Sequence, residues 1–151
     1  MGRRGFRRST TFANLGGLMA RSIGWMASGV TLDAGALIAL DRDDRRMVAL
    51  LARGVESAHR ITIPAGALAQ AMRQPERQAR LSRLTRQPTT DVVAIDRVDA
   101  VNVGRLLAAS GTTDVVDAHV VICARRAGQP VITSDVGDLR RLDPSLEIVA
   151  L

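Results

Sequence analysis

The chain has 151 residues; 21 Lys+Arg against 15 Asp+Glu leave a formal charge of +6, and hydrophobic residues make up 46%. That length suits one domain of about 100–150 residues, and that hydrophobic share excludes a disordered chain. One cysteine, Cys123, excludes an internal disulfide framework and a Cys-based zinc cluster; two scattered histidines, His59 and His119, exclude most His-rich metal sites; no apolar run approaches the ~18 residues that a bilayer crossing needs.

Every basic residue is Arg; the sequence contains no Lys. A P-loop is excluded, because its GK[ST] lysine is missing. Schiff-base chemistry and the lysine-dependent aspartyl phosphorylation of receiver domains and haloacid-dehalogenase-like phosphatases are excluded with it. Tyr is absent and aromatics amount to 2%, which leaves no base-stacking platform of the RRM or OB kind.

The first 30 residues carry Arg3, Arg4, Arg7, Arg8 and Arg21 and no acid, so the remainder is close to neutral. Residues 1–28 read as a basic, flexible N-terminal extension and residues 29–151 as the domain. Arg21 interrupts the apolar stretch and no A-x-A site follows, which argues against a secretory signal. An arm attracted to RNA or a membrane surface is another use of such charge. A start at Met26, just before the first strand, is a further alternative.

Val30-Thr31-Leu32 is a short apolar, β-branched run closed by Asp33, a first strand. Helices are expected over 34–40 and 45–58, the second with Met47, Leu50 and Leu51 at helical spacing. Ile61-Thr62-Ile63 is a second strand, closed by Pro64. A helix starts over 65–72, Pro75 breaks it, and 78–84 resumes it. Residues 92–95 read as a third strand and 98–109 as a helix ended by Gly111. Thr112-Thr113-Asp114 offers N-cap chemistry to an apolar helix running through Arg126. After the Gly128-Gln129-Pro130 turn come a fourth strand over 131–133, a short helix over 137–142 and a final strand over 146–149. Short buried strands alternating with helices imply an α/β domain whose parallel sheet is covered on both faces.

In such a sheet functional groups collect beyond the carboxyl ends of the strands. Two strands end in an acid, Asp33 and Asp135, and Asp114 and Asp117 share one face at a helix start. Crowded carboxylates repel and raise one another's pKa. A divalent cation removes the conflict, and oxygen-only ligands favour Mg²⁺ or Mn²⁺. Each acid also has an ordinary explanation: Asp33 and Asp114 as N-caps, Asp117 as a favourable charge in a first helical turn, Asp135 as the start of a turn. Those explanations do not say why two apolar strands each finish in Asp beside a doubled-acid helix.

Four segments, in order, resemble the PIN-domain nucleases: Thr31-Leu32-Asp33-Ala34-Gly35-Ala36-Leu37-Ile38; Ile63-Pro64-Ala65-Gly66 through Gln70 and Arg73; Thr113-Asp114-Val115-Val116-Asp117-Ala118-His119-Val120-Val121; and Val131-Ile132-Thr133-Ser134-Asp135. The likeness spans residues 29–151 and is greatest to the VapC-type toxins of bacterial toxin–antitoxin pairs. It implies a PIN-like three-layer α/β/α sandwich with a central, mainly parallel sheet, and a cytoplasmic endoribonuclease that uses Mg²⁺ or Mn²⁺. Asp33, Asp117 and Asp135 would hold the ion, with Asp114 as a further ligand or a water-orienting base. Thr133 and Ser134 would bond a phosphate oxygen or a ligand carboxylate. Gln70 stands where most members have Glu, and an amide oxygen is the weaker ligand. A PIN-like RNA-binding or interaction module, weakened catalytically by Gln70, is therefore the alternative.

The resemblance also implies partners: an RNA substrate, an antitoxin that blocks the acidic site with a basic side chain, and a second copy in a homodimer. RNA needs positive charge near the acids. Arg73, Arg77, Arg80 and Arg83 recur at three- and four-residue steps, a stripe if the segment is helical. Arg73 stands out because it would share a helix with Gln70. His119 and Cys123 read as structural members of the apolar helix, and Asp41, Asp43 and Asp44 as a solvated turn paired with Arg42, Arg45 and Arg46.

Overall fold

A computed structural model describes residues 28–151. The expected N-terminal extension lies outside the described residues except for Ser28. Five strands, β1 (Val30–Leu32), β2 (Ile61–Pro64), β3 (Thr90–Val93), β4 (Val131–Thr133) and β5 (Ile148–Ala150), form one sheet in the order β3-β2-β1-β4-β5. All four pairings are parallel. Seven helices among the described residues cover it: α1 (Ala34–Asp41), α2 (Arg45–Glu56), α3 (Ala65–Ala71), α4 (Ala79–Leu84), α5 (Arg97–Ser110), α6 (Val115–Ala127) and α7 (Val136–Leu142). Helix α1 packs on β1 and β4 and gathers α2, α3 and α4 around it, while α6 packs on β2, β1 and β4 between α5 and α7.

The central strands carry apolar or hydroxyl side chains on both faces because both faces are covered. Val30, Leu32, Ile61, Ile63, Val131 and Ile132 are buried, with Ala36 and Leu37 of α1 on one side and Ala118, Val120 and Val121 of α6 on the other. The chain winds outward from β1 through β2 to β3, then returns to the other side of β1 for β4 and β5. The direction of winding therefore reverses between β1 and β4, the place where an open α/β sheet leaves a crevice beyond its strand ends.

Two strands lie elsewhere than the apolar runs suggest. β3 covers Thr90–Val93 rather than 92–95, paired so that Ile61 meets Thr90 and Pro64 meets Val93. It is an edge strand, and Val92 and Ile95 stay exposed, so apolarity did not mark burial there. β5 begins at Ile148, opposite Val131. Leu146 is buried by packing in the preceding loop and not by strand pairing. Gly111 ends α5 in the left-handed region, at φ 69°, as its position predicted.

The α5–α6 contact holds a buried polar network that the sequence did not disclose. Asp99, 1% exposed, accepts from Arg126 and meets His119 Nε2 at 3.3 Å. Cys123 Sγ lies 3.4 Å from the same nitrogen. Burial and then the Asp99 charge push the Cys123 thiol up to about 11, against the pull of Arg126, so this cysteine is an inert packing group. Nearby, Arg125 Nε donates to Asp143 at 2.7 Å. Burial raises the Asp143 carboxyl, but Arg125 and Ser145 more than offset it and hold it below the ordinary value. Removing the cation of a buried pair strands the carboxylate, at a cost of about 3 kcal/mol. Arg126→Ala should therefore lower stability by about that amount in urea denaturation. Arg125→Ala should cost less, because Asp143 keeps the Ser145 amide and hydroxyl.

Candidate metal centre

Three of the four expected acids are helix N-caps, which is how they reach one edge of the sheet. Asp33 follows β1, and its Oδ1 accepts from Ala36 N at 2.7 Å to open α1. Asp114 Oδ1 accepts from Asp117 N at 3.0 Å to open α6. Asp135, two residues beyond β4, opens α7 with Asp138 N at 3.3 Å. Helix N-termini favour negative charge, so capping and clustering are compatible uses of the same side chains.

The carboxylates feel one another. Asp33 is 5% exposed. Burial pushes its carboxyl up, Thr133 and the Ala36 amide pull it back, and the Asp135 charge adds to the rise. Asp117 is pushed up to about 6, first by burial and then by Asp114, Asp33, Asp138 and Asp135. Asp138 is a member the sequence reading missed. Its signal was present, because Asp135-x-x-Asp138 repeats the spacing of Asp114-x-x-Asp117. Asp114, Asp117 and Asp138 line a cleft of about 300 Å³ with Thr112, Thr113 and Arg141. Arg141 pairs with Asp138 at 3.2 Å. Among the described residues Asp33, Asp114, Asp117 and Asp135 are in no ion pair.

The donors are carboxylate oxygens only, the chemistry that a hard divalent cation takes, and Asp117 is raised to about 6 by burial first and by the neighbouring acids after it. Among the described residues no three acidic, His or Cys side chains stand close enough to hold an ion between them. The cluster is thus an open one, with Asp114 and Asp135 exposed.

The remaining expected residues separate. Thr133 is fully buried. Its Oγ1 accepts from Asp135 N at 2.8 Å and its hydroxyl also bonds the Asp33 carboxylate, so it braces two acids and is not open to a phosphate. Ser134 is exposed beside Gly35. Gln70 is exposed on α3, and no hydrogen bond joins its side chain to any acid. Arg73 is not on that helix: α3 stops at Ala71, and Arg73 Nε donates to Gln70 O at 3.0 Å.

The arginine stripe is interrupted for a physical reason. Pro75 and the side chain of Gln78, which bonds Gln74 N, Ala71 O and Asp41, shape residues 72–78 into turns. Only Arg80 and Arg83 lie on α4. Arg80 pairs with Asp43 at 2.9 Å, and the expected pairing of the 41–44 acids with Arg42, Arg45 and Arg46 does not form. Asp44 instead caps α2 through Met47 N.

No protein-family model matches the chain, and no curated protein matches it. Solved structures do. FitAcB from Neisseria gonorrhoeae superposes with a TM-score of 0.57 at 16% identity, over 79% of this chain and 95% of that one. VapBC2 from Rickettsia felis, bound to a DNA fragment from their promoter, gives 0.58 at 14% identity, over 80% of this chain and 97% of that one. At such identities the likeness concerns the fold, and the fold is the PIN-like α/β/α sandwich that the motifs led us to expect. No single helix among the described residues is long and apolar enough to cross a membrane.

The Asp117 proton has a measurable consequence. The unfolded chain releases it near 3.8 and the folded chain near 6. The stability it contributes is complete below the lower value and lost as pH rises through the upper one. Asp33 is shifted in the same sense. In EDTA the thermal midpoint should rise as pH falls from about 7 to about 5. Asp117→Asn should melt higher than the native chain at neutral pH and show a flatter dependence. An unchanged slope would mean that Asp117 does not carry this proton.

Proposed function

We propose that this chain is a metal-dependent endoribonuclease and the toxin half of a VapBC-type toxin–antitoxin pair. The observation that carries the reading is the set of unpaired carboxylates at the switch point of the sheet. Buried acids elsewhere have an arginine, as Asp99 has Arg126 and Asp143 has Arg125. Among the described residues Asp33, Asp114, Asp117 and Asp135 are paired with none. Such an arrangement is costly for the protein alone and favourable once a divalent cation is shared. The order of the motifs and the fold held in common with VapBC2 support the toxin reading.

Asp33, Asp117 and Asp135 would hold Mg²⁺ or Mn²⁺. When bound, the ion would stabilise charge on a scissile phosphate and lower the pKa of an attacking water. Thr133 keeps Asp33 and the Asp135 backbone in fixed relation. Asp114 and Asp138, flanking Asp117, would orient water or complete the ligand set. An antitoxin would supply the cation-like group that the acids lack, a basic side chain set among them.

The test is cleavage of a mixed RNA pool with Mg²⁺ or Mn²⁺ and with EDTA. Native protein should cleave only with metal. Asp33→Asn and Asp117→Asn should each lose about 100-fold or more, the equivalent of ~3 kcal/mol of transition-state stabilisation. Equal cleavage by all three would remove the proposal. Binding of the RNA without cleavage would favour the weakened module, for which the exposed Gln70 is the motive; Gln70→Glu should then tighten Mn²⁺ binding in calorimetry if that residue faces the ion.

A further inference from the structure

An open groove of about 500 Å³ begins beside Asp33 and is separate from the Asp117 cleft. Gly35, Ile38, Ala39 and Arg42 line it with Ser134 and Asp44. The four α1-side residues are spaced i, i+3, i+4 and i+7, one face of the helix, which sets Arg42 ~10 Å along the axis from Gly35. The head of the groove lies against the acids. A Cβ on Gly35 would come within 2.3 Å of Ser134 Oγ and 3.4 Å of Asp33 Oδ1, so the missing side chain leaves the serine hydroxyl room there.

The groove carries one cation, Arg42, and one anion, Asp44. Asp44 spends its Oδ1 on Met47 N as the cap of α2. Arg42 is exposed, and among the described residues its guanidinium has no ion pair or hydrogen bond. It differs in this from Arg141, the cation of the Asp117 cleft, which is paired with Asp138. It differs also from Arg73, whose Nε is tied to Gln70 O.

We propose that Arg42 is a substrate-positioning residue: the groove along α1 seats the backbone of a single-stranded nucleic acid leaving the acid cluster, and Arg42 holds one of its phosphates. The inference rests on the nuclease reading and goes further, giving the strand a path. Small and aliphatic side chains between Ser134 and Arg42 make a surface on which sugars and bases can lie without sequence readout. A planar, always-charged guanidinium at its end suits phosphate. Because Arg42 would touch a phosphate other than the scissile one, it acts on binding and leaves the chemical step alone.

The experiment measures binding and cleavage separately. Fluorescence anisotropy of a labelled mixed-sequence single-stranded RNA is read with the full chain carrying Asp117→Asn, alone and combined with Arg42→Ala, Arg42→Lys or Arg105→Ala, the last an exposed arginine lining neither cavity. Arg42→Ala should weaken binding about fivefold and reduce the slope of log K against log salt by about 0.7, the value of one single-strand phosphate contact. Arg42→Lys should recover part of the loss, and Arg105→Ala should change neither quantity. In the otherwise native chain Arg42→Ala should raise KM with kcat unchanged. Equal affinity and salt slope for Arg42→Ala and the parent would overturn the groove assignment while native cleavage left the nuclease reading standing. A loss of the same size in Arg105→Ala would overturn it too, by showing only a general effect of net charge. A native chain that neither binds nor cleaves RNA would overturn both.

Discussion

Electrostatic crowding at the carboxyl ends of β1 and β4 is the constraint on which the rest of the structure turns. Parallel pairing in the register Leu32 to Ile132 brings Asp33 beside Thr133 and carries Asp135 just past it. Two like charges so close are unfavourable, and the fold tolerates them by aiming helix N-termini at the same place. Asp33, Asp114 and Asp135 each receive a backbone N–H from the helix they open, and the helix dipoles favour the charge. Asp117, which caps no helix, has no such compensation: burial and then the surrounding acids raise it to about 6.

Capping and clustering are therefore compatible uses of one geometry. A capping carboxylate satisfies one amide with one oxygen and keeps a second oxygen free. At an isolated helix start that spare oxygen meets water. Asp33, Asp114 and Asp135 each keep such an oxygen while opening a helix beyond the sheet.

The sequence carried the fold well because the central strands are buried on both faces, and β1 and β4 run into acids, Asp33 and Asp135. It carried the edges poorly: β3 and β5 each have one unpaired side, so apolar runs there no longer report burial. The arginine stripe failed for a related reason. Periodicity in Arg73, Arg77, Arg80 and Arg83 presumes an unbroken helix, and Gln78 takes up Ala71 O and Gln74 N in place of helical bonds. Spacing within one segment could not single out Arg42, because it shares a groove with Ser134, distant in the chain, only through the fold of α1.

The spacing Asp-x-x-Asp occurs three times at a helix start, as Asp96 and Asp99, Asp114 and Asp117, and Asp135 and Asp138. All three pairs begin with an N-cap, so local pattern does not distinguish them. What separates them is the partner across the interface. α5 lays Asp99 against Arg126 and His119, and the charge is neutralised within the protein. α6 lays Asp117 among Asp114, Asp33, Asp138 and Asp135, which raise its carboxyl after burial does, while Asp138 pairs with Arg141 within α7. A structural carboxylate such as Asp99 is completed by its own chain, whereas among the described residues Asp33, Asp114, Asp117 and Asp135 stand in no ion pair, so the same local pattern ends in neutralised charge at one helix start and in unneutralised charge at the others.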